Sequence, residues 1–247
     1  MLDMSQVRLG KGPHPAQTNP TGNRDMCLLE AVSYFTGESW SHRPACVSPA
    51  IALFLSTWQD ALDDEERDLL FPPDKWIPAL VGTRGDWVAE QRRCHSALDW
   101  AIRIYPQIWF RHNLALAPYG KALEKLPEIS DDISAKKASK AIRAACFAAS
   151  RAAEQCSWNR EGNFDRNEAY SWVAKTGWKS AYVVGNAFAR KTVENATIKN
   201  SEKMADILDL SWGGLIAIGT VNKDKFENCL QESRHGAIEI VKKMMSI

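Results

Sequence analysis

SPAIALFLSTWQDAL, at residues 48–62, carries the clearest helical pattern in the chain. Ser48 belongs to the residue types that cap helix N-termini, and a proline at the next position suits the first helical turn, because its missing N–H would have no partner there. Apolar side chains then recur every three or four residues along one face, namely Ile51, Phe54, Leu55, Trp58, Ala61 and Leu62. This pattern predicts an amphipathic helix that buries one side against the rest of the protein.

The sequence before this helix predicts a shorter helix that follows an irregular arm. Apolar residues recur at i, i+4 and i+7 from Leu28, Asp25 can cap the helix, and Gly37 can end it because glycine tolerates a positive φ. Residues 1–22 hold several glycines and prolines, which interrupt any period. We therefore expect residues 1–24 to form an extended N-terminal arm.

The sequence after this helix is also mainly helical in pattern. Asp86 is placed to cap a helix, Pro106 to bend or end it, and the alanine-rich stretch at 134–156 has high helix propensity. Only one run, GGLIAIGTV at 213–221, has the composition of a strand, and no partner strand accompanies it. We therefore predict an all-α fold, an irregular multi-helix globule of roughly eight to ten helices. Residues 25–247 form one domain in this prediction, and the charged segment 126–134 is where it would divide.

The composition is that of a folded protein with balanced charge. The chain has 247 residues, of which 45% are hydrophobic, and this is enough for a sizeable core. The formal net charge is +1, so no global field attracts nucleic acid or an acidic membrane. The six cysteines include no C-x-x-C pair, which is typical of reduced thiols, and no apolar run reaches the length of a membrane span or a signal peptide. We therefore expect a cytoplasmic protein that needs no cofactor.

Cys27 is the strongest candidate nucleophile in the sequence. In the first turn of a helix, free backbone N–H groups and the helix dipole stabilise a thiolate. The string CLLEAVSYFTG, which starts at Cys27, resembles the nucleophile helix of the ovarian-tumour class of deubiquitinating cysteine proteases. That resemblance implies a cysteine hydrolase, and His235 follows in the right chain order to act as its base. Such a protease presents its histidine from a sheet, for which this sequence has almost no strands, so we keep the hydrolase as an alternative and predict no catalytic residue.

Two pairs of histidine and cysteine raise the question of a zinc site. His42 lies four residues before Cys46, and His95 directly follows Cys94. Pro44 interrupts the helical spacing of the first pair, and neighbouring residues on a helix project about 100° apart, so neither pair can hold one ion from a single helix face. We predict no metal site.

Two charged stretches could meet a macromolecular partner. The acidic stretch QDALDDEERD at 59–68 is most simply a solvated helix end. Its alternative uses are to supply two carboxylates to a hydrolase across a cleft, or to mimic nucleic-acid phosphates to a basic partner. In the alanine-rich stretch, Lys136, Lys140 and Arg143 fall on one side of a helix and could contact phosphates. No nucleotide-binding loop, nucleophile elbow or known nucleic-acid motif accompanies either stretch. A nucleic-acid-binding helical module therefore stands as an alternative.

Residues 22–85, taken together, resemble a set of helical proteins that bacteriophages and some bacterial genomes encode. The shared features are the cysteine-bearing EAV helix (Cys27 and residues 30–32), the GESWS turn (37–41), the PAC segment (44–46), Trp58 and the LVGTR turn (80–84). The resemblance implies a phage or mobile-element setting for this chain, and it brings no enzymatic activity with it.

These features lead us to predict a non-enzymatic protein, encoded by a phage or mobile element, that binds a host protein or ribonucleoprotein complex. In that setting we expect an inhibitor of bacterial immunity of the anti-CRISPR kind. Ten tryptophans and segregated charges would suit such an interface. The predicted contact residues are Trp40, His42 and Arg43 in the proline-flanked loop, or Lys136, Lys140 and Arg143 on the basic helix.

Overall fold

The computed structural model describes residues 2–112, 114, 116–131, 133–134, 137–138, 141, 144–145, 148 and 223–247. Within these residues the chain is helical and forms no strand, which confirms the all-α prediction for this part of the protein. The α-helices are α1 (Leu28–Thr36), α2 (Pro49–Ala61), α3 (Asp64–Leu70), α4 (Pro73–Leu80), α5 (Trp87–Asp99), α6 (Tyr105–Phe110), α7 (Ala117–Glu124) and α8 (Lys223–Met245). The total of roughly eight to ten helices for the whole chain stays a prediction, because much of the alanine-rich stretch and the run at 213–221 lie outside the described residues.

Helix α2 forms as its sequence predicts and lies in the core. The Ser48 hydroxyl accepts a hydrogen bond from the Ile51 N–H at 3.3 Å, and Pro49 takes the first helical position. Trp58 is buried and meets the Phe71 ring nearly edge-on, with 5.0 Å between the ring centroids. Each fully buried side chain of this size stabilises the fold by about 1.5–3 kcal/mol. Helix α2 contacts α1, α5 and α8, so the apolar faces of these helices build one core.

Helix α1 ends where expected but begins with a different cap. Gly37 ends it with a φ of 73°, the left-handed conformation that glycine favours. The N-cap is Cys27, and the Glu30 carboxylate accepts a hydrogen bond from the Cys27 N–H at 2.8 Å. The prediction that Asp25 caps α1 is therefore wrong, because the Asp25 carboxylate instead accepts backbone N–H groups of the preceding turn.

Helix α5 is capped by Asp86, as predicted, and the helical path continues past Pro106. The Asp86 carboxylate accepts a backbone N–H of the first turn at 2.8 Å. Residues Trp100–Ile104 form a π-helical turn between α5 and α6, and the Tyr105 N–H bonds to the Trp100 carbonyl five residues back. Pro106 has no N–H to give to an α-helical bond, so the wider turn just before it lets the chain remain helical.

Helix α8 brings the C-terminal residues back onto α2, α5 and α6. A Cβ at Gly236 would lie 2.9 Å from the indole nitrogen of Trp100, so the glycine that the sequence marks as the weak point of this helix permits a close approach. The Arg93 side chain binds the end of α8, since its Nε donates to the Met244 carbonyl at 2.9 Å. Across the described ranges, α8 included, no helix combines the length and apolar content that crossing a membrane requires.

Residues 2–26 lie on the helical body along an irregular path. Val7 and Leu9 are buried, and the Gly10 N–H donates to the Met26 carbonyl at 2.7 Å. The Gln59 side chain, which is fully buried on α2, donates to the Gly10 carbonyl at 3.0 Å. These contacts tie the first residues to α2. The division of the chain at residue 24 and within 126–134 stays a prediction.

Candidate functional site

Cys27 lies at the start of α1 with its side chain in the core. Only 4% of the residue is exposed. Burial raises the pKa of the Cys27 thiol to about 12, and the charge of the neighbouring Glu30 carboxylate adds to the rise. The thiol is therefore protonated at neutral pH, although a helix start would by itself favour a thiolate. These are the surroundings of a structural cysteine.

The histidine that shares a partner with Cys27 is His14, whereas His235 lies elsewhere. The Glu30 carboxylate accepts a hydrogen bond from the Cys27 N–H and contacts the His14 Nδ1, each at 2.8 Å. His235 is exposed on α8, and among the described residues no hydrogen bond or ion pair joins it to Cys27. The pairing of Cys27 with His235 therefore gains no support from this geometry. Sequence reasoning missed His14 because the glycines and prolines around it leave no period to interpret.

We expect Cys27 to resist alkylation until the protein unfolds. A thiol with a pKa of about 12 is a thiolate in about one molecule in ten thousand at pH 8, and burial also blocks access. Treatment of folded and urea-unfolded protein with iodoacetamide, followed by peptide mass spectrometry, measures the protection. Among the described cysteines, Cys46 and Cys94 are partly exposed and should be labelled before Cys27. Rapid labelling of Cys27 in the folded protein near neutral pH would contradict the structural role.

The acidic stretch at 59–68 binds residues of the N-terminal segment. Asp68 pairs with Arg24 at 2.8 Å and with Arg8 at 3.2 Å. Asp60 accepts a hydrogen bond from the Gly12 N–H at 2.8 Å. The interpretation of this stretch as a solvated helix end therefore holds for only part of it: Asp63 and Glu65 are exposed at the start of α3, whereas Asp60 and Asp68 bind residues 8–24. These carboxylates are correspondingly less available to mimic phosphates for a partner.

The basic positions Lys136, Lys140 and Arg143 lie outside the described residues. Seven positions of the alanine-rich stretch are described, and among them Lys137 is exposed and Ala138 is buried. The basic face that the sequence predicts therefore stays a prediction.

The three predicted contact residues in the proline-flanked loop after α1 differ in their exposure to solvent. Trp40 is partly buried, and its Nε1–H donates to the His14 carbonyl at 3.2 Å. His42 and Arg43 are exposed. Within the described part of the chain, no group of three or more His, Cys, Asp and Glu side chains is arranged to hold a metal ion, and this includes the surroundings of His42. His42 and Arg43 are therefore accessible to solvent, whereas the Trp40 side chain holds the loop against residue 14.

The turn that follows α4 lies against this loop and is fixed to it by backbone hydrogen bonds. The Cys46 carbonyl accepts the N–H groups of Gly82 and Arg84 at 3.0 and 3.2 Å. The Arg84 guanidinium donates to the Ala45 carbonyl at 3.3 Å. On the other side of the loop, the Glu38 carboxylate accepts the Cys46 N–H at 2.9 Å. Loop and turn therefore form one ordered unit.

Three apolar side chains are exposed on this turn and at the start of α5. Their exposed fractions are 43% for Val81, 59% for Trp87 and 52% for Val88. Tryptophan and arginine are the residue types most enriched among energetically important interface positions, and neighbouring exposed apolar residues often mark a binding site. We call the following residues the corner surface: His42, Arg43, Val81, Arg84, Trp87 and Val88.

Sequence reasoning identified His42 and Arg43 of the corner surface and missed Trp87. The helical period assigns Trp87 to the same face of α5 as Leu98, which is buried. Trp87 is the first residue of α5, however, and there the face extends beyond the core. The signal that could have identified it is the capping residue Asp86 directly before it, because the first turn of a helix commonly lies at the protein surface.

Comparison with known proteins assigns no role to this surface. No family model, no curated protein and no solved structure matches the chain. The function of the corner surface therefore has to follow from the chemistry of its own residues.

Proposed function

We propose that this protein is a non-enzymatic helical protein that binds a host protein or ribonucleoprotein complex through the corner surface. The observation that carries the proposal is the exposure of Val81, Trp87 and Val88 near Arg84, on a turn whose backbone is hydrogen-bonded to the loop that carries Arg43. Apolar surface gains about 25 cal/mol for each Å² that a partner removes from water. An ordered backbone adds to affinity, because little conformational entropy is lost on binding.

The proposed biological setting rests on the resemblance of residues 22–85 to proteins that bacteriophages and some bacterial genomes encode. We propose that the chain acts in the host cytoplasm as an inhibitor of a bacterial immune complex, of the anti-CRISPR type. Lys136, Lys140 and Arg143 form a second contact set in this proposal. A nucleic-acid-binding module is the alternative that those three residues would favour.

The variant Trp87→Ala tests whether the corner surface binds the partner. We expect it to lower the captured amount of the partner by about tenfold to a hundredfold, because truncating a central interface tryptophan typically costs about 2 kcal/mol or more. The measurement is affinity capture from lysate of the native host, with the partner quantified by mass spectrometry against the original chain.

The matched control is Leu69→Ala, which removes another exposed large apolar side chain, 78% exposed, from α3. We expect this variant to capture the same amount of partner as the original chain. Thermal unfolding of both variants checks that each is folded. Equal capture of the partner by Trp87→Ala and Leu69→Ala would show that the corner surface is not the binding site. If the original chain captured no stoichiometric partner, the proposed binding function itself would be wrong.

A further inference from the structure

Arginines that form no ion pair with a carboxylate lie at the corner surface and next to it on α5. In the described part of the chain, ion pairs with carboxylates hold Arg8, Arg24, Arg67, Arg93, Arg103, Arg111 and Arg234. Among the same described residues, no ion pair of this kind holds Arg43, Arg84 or Arg92, and all three are exposed. Arg92 follows Val88 by four positions on α5, so the two side chains are neighbours on one helix face.

The carboxylates near this surface are engaged within the chain. Asp86 caps α5, and Glu38 accepts backbone N–H groups of the loop. Glu90 pairs with Arg93 and accepts a hydrogen bond from the Ser48 hydroxyl at 2.6 Å. In this neighbourhood the four guanidinium groups of Arg43, Arg84, Arg92 and Arg93 outnumber the three carboxylates of Glu38, Asp86 and Glu90. A local field of this kind selects and orients a partner of opposite charge.

We infer that the segment bound by the corner surface is an acidic protein segment with an apolar anchor. This inference rests on the proposed function and names the chemistry of the partner. The anchor packs on Trp87 and Val88, and carboxylates of the partner pair with Arg43, Arg84 and Arg92. A planar guanidinium suits this role because it binds a carboxylate through two parallel hydrogen bonds.

A nucleic acid is the other polyanion that the same arginines could meet. Single strands bind by stacking successive bases on aromatic side chains, and the corner surface offers one exposed indole beside two aliphatic valines. Apolar contacts beside arginines therefore favour a protein partner.

The test is photo-crosslinking from within the surface. The full chain carries p-benzoylphenylalanine in place of Val88, is irradiated in lysate of the native host, and the attached peptide is sequenced by mass spectrometry. We expect an attached protein segment with net negative charge. In an Arg84→Glu background the crosslinked yield should fall about tenfold, since like charges across an interface are strongly unfavourable. The control Lys121→Glu makes the same charge change at an exposed residue of α7 and should leave the yield unchanged.

The other outcomes separate this inference from the proposed function. An attached segment that is neutral or basic overturns the inference and leaves host-protein binding in place. An attached nucleic acid or a second copy of this chain also overturns the inference. Equal yields with Arg84→Glu and Lys121→Glu do the same, because the arginines would then contribute nothing. If the original chain captures no partner, the proposed function fails first.

Discussion

The variant Glu30→Ala is expected to lower the free energy of unfolding by about 3–5 kcal/mol, the range for removing one partner of a buried, hydrogen-bonded charge. Glu30 is 1% exposed. Its carboxylate accepts the His14 N–H at 2.6 Å and the Cys27 N–H at 2.8 Å, and it contacts the His14 Nδ1 at 2.8 Å. Alanine leaves the buried Cys27 N–H and the partly buried groups of His14 without this partner. Urea unfolding followed by tryptophan fluorescence measures the loss.

Two further substitutions make this result specific. Glu65→Ala removes an exposed carboxylate from the first turn of α3 and should change the free energy of unfolding by no more than about 0.5 kcal/mol. Glu30→Gln keeps one acceptor oxygen and should fall between the two alanine variants. If Glu30→Ala proved as stable as Glu65→Ala, the contacts of Glu30 with residues 14 and 27 could not be present in solution.

The variant Arg67→Ala is expected to cost a similar amount, about 3–5 kcal/mol. Arg67 is 1% exposed, and its guanidinium donates to the Leu62 carbonyl at 2.8 Å and to the carbonyls of Gln59 and Leu9, both at 3.4 Å. One side chain thus satisfies carbonyls at the end of α2 and in the N-terminal segment. Urea midpoints and slopes of the variant and the original chain give the difference.

The matched control for Arg67 is Arg8→Ala. The Arg8 side chain is 61% exposed and makes a surface ion pair with Asp68, so its loss should cost about 1 kcal/mol or less. Arg67→Lys retains the positive charge but cannot reach three carbonyls from one ammonium group, and it should lose much of the stability that alanine loses. A fully stable Arg67→Lys would show that charge alone, and not the fork of hydrogen bonds, is what the site requires.

The parts of the fold that the sequence predicts are those decided by neighbouring residues. Ser48 and Pro49 start α2, Asp86 starts α5, and Gly37 ends α1, because capping hydrogen bonds and φ preferences act within one helical turn. The all-α class follows from the same local patterns.

The contacts of residues 2–26 are not predictable from such patterns. They join backbone groups to single polar side chains far along the chain, as Gly10 is joined to Gln59 and Leu9 to Arg67. Nothing in the sequence distinguishes a buried Gln59 from an exposed one. The candidate site likewise combines features of both kinds. The exposed loop with His42 and Arg43 can be predicted from local sequence, whereas the exposure of Trp87 depends on where the packed core ends.

The packing of residues 2–26 against α1, α2 and α3 bears on how far the chain can be shortened from this end. Removal of residues 1–25 would leave a polypeptide that begins at Met26. A polypeptide begun there would contain every α-helix named above. It would also leave Glu30, Gln59 and Arg67 without their N-terminal partners, and it would begin with a residue that is fully buried in the fold. We therefore expect a polypeptide that lacks residues 1–25 to be less stable than the full chain, even though it retains these α-helices.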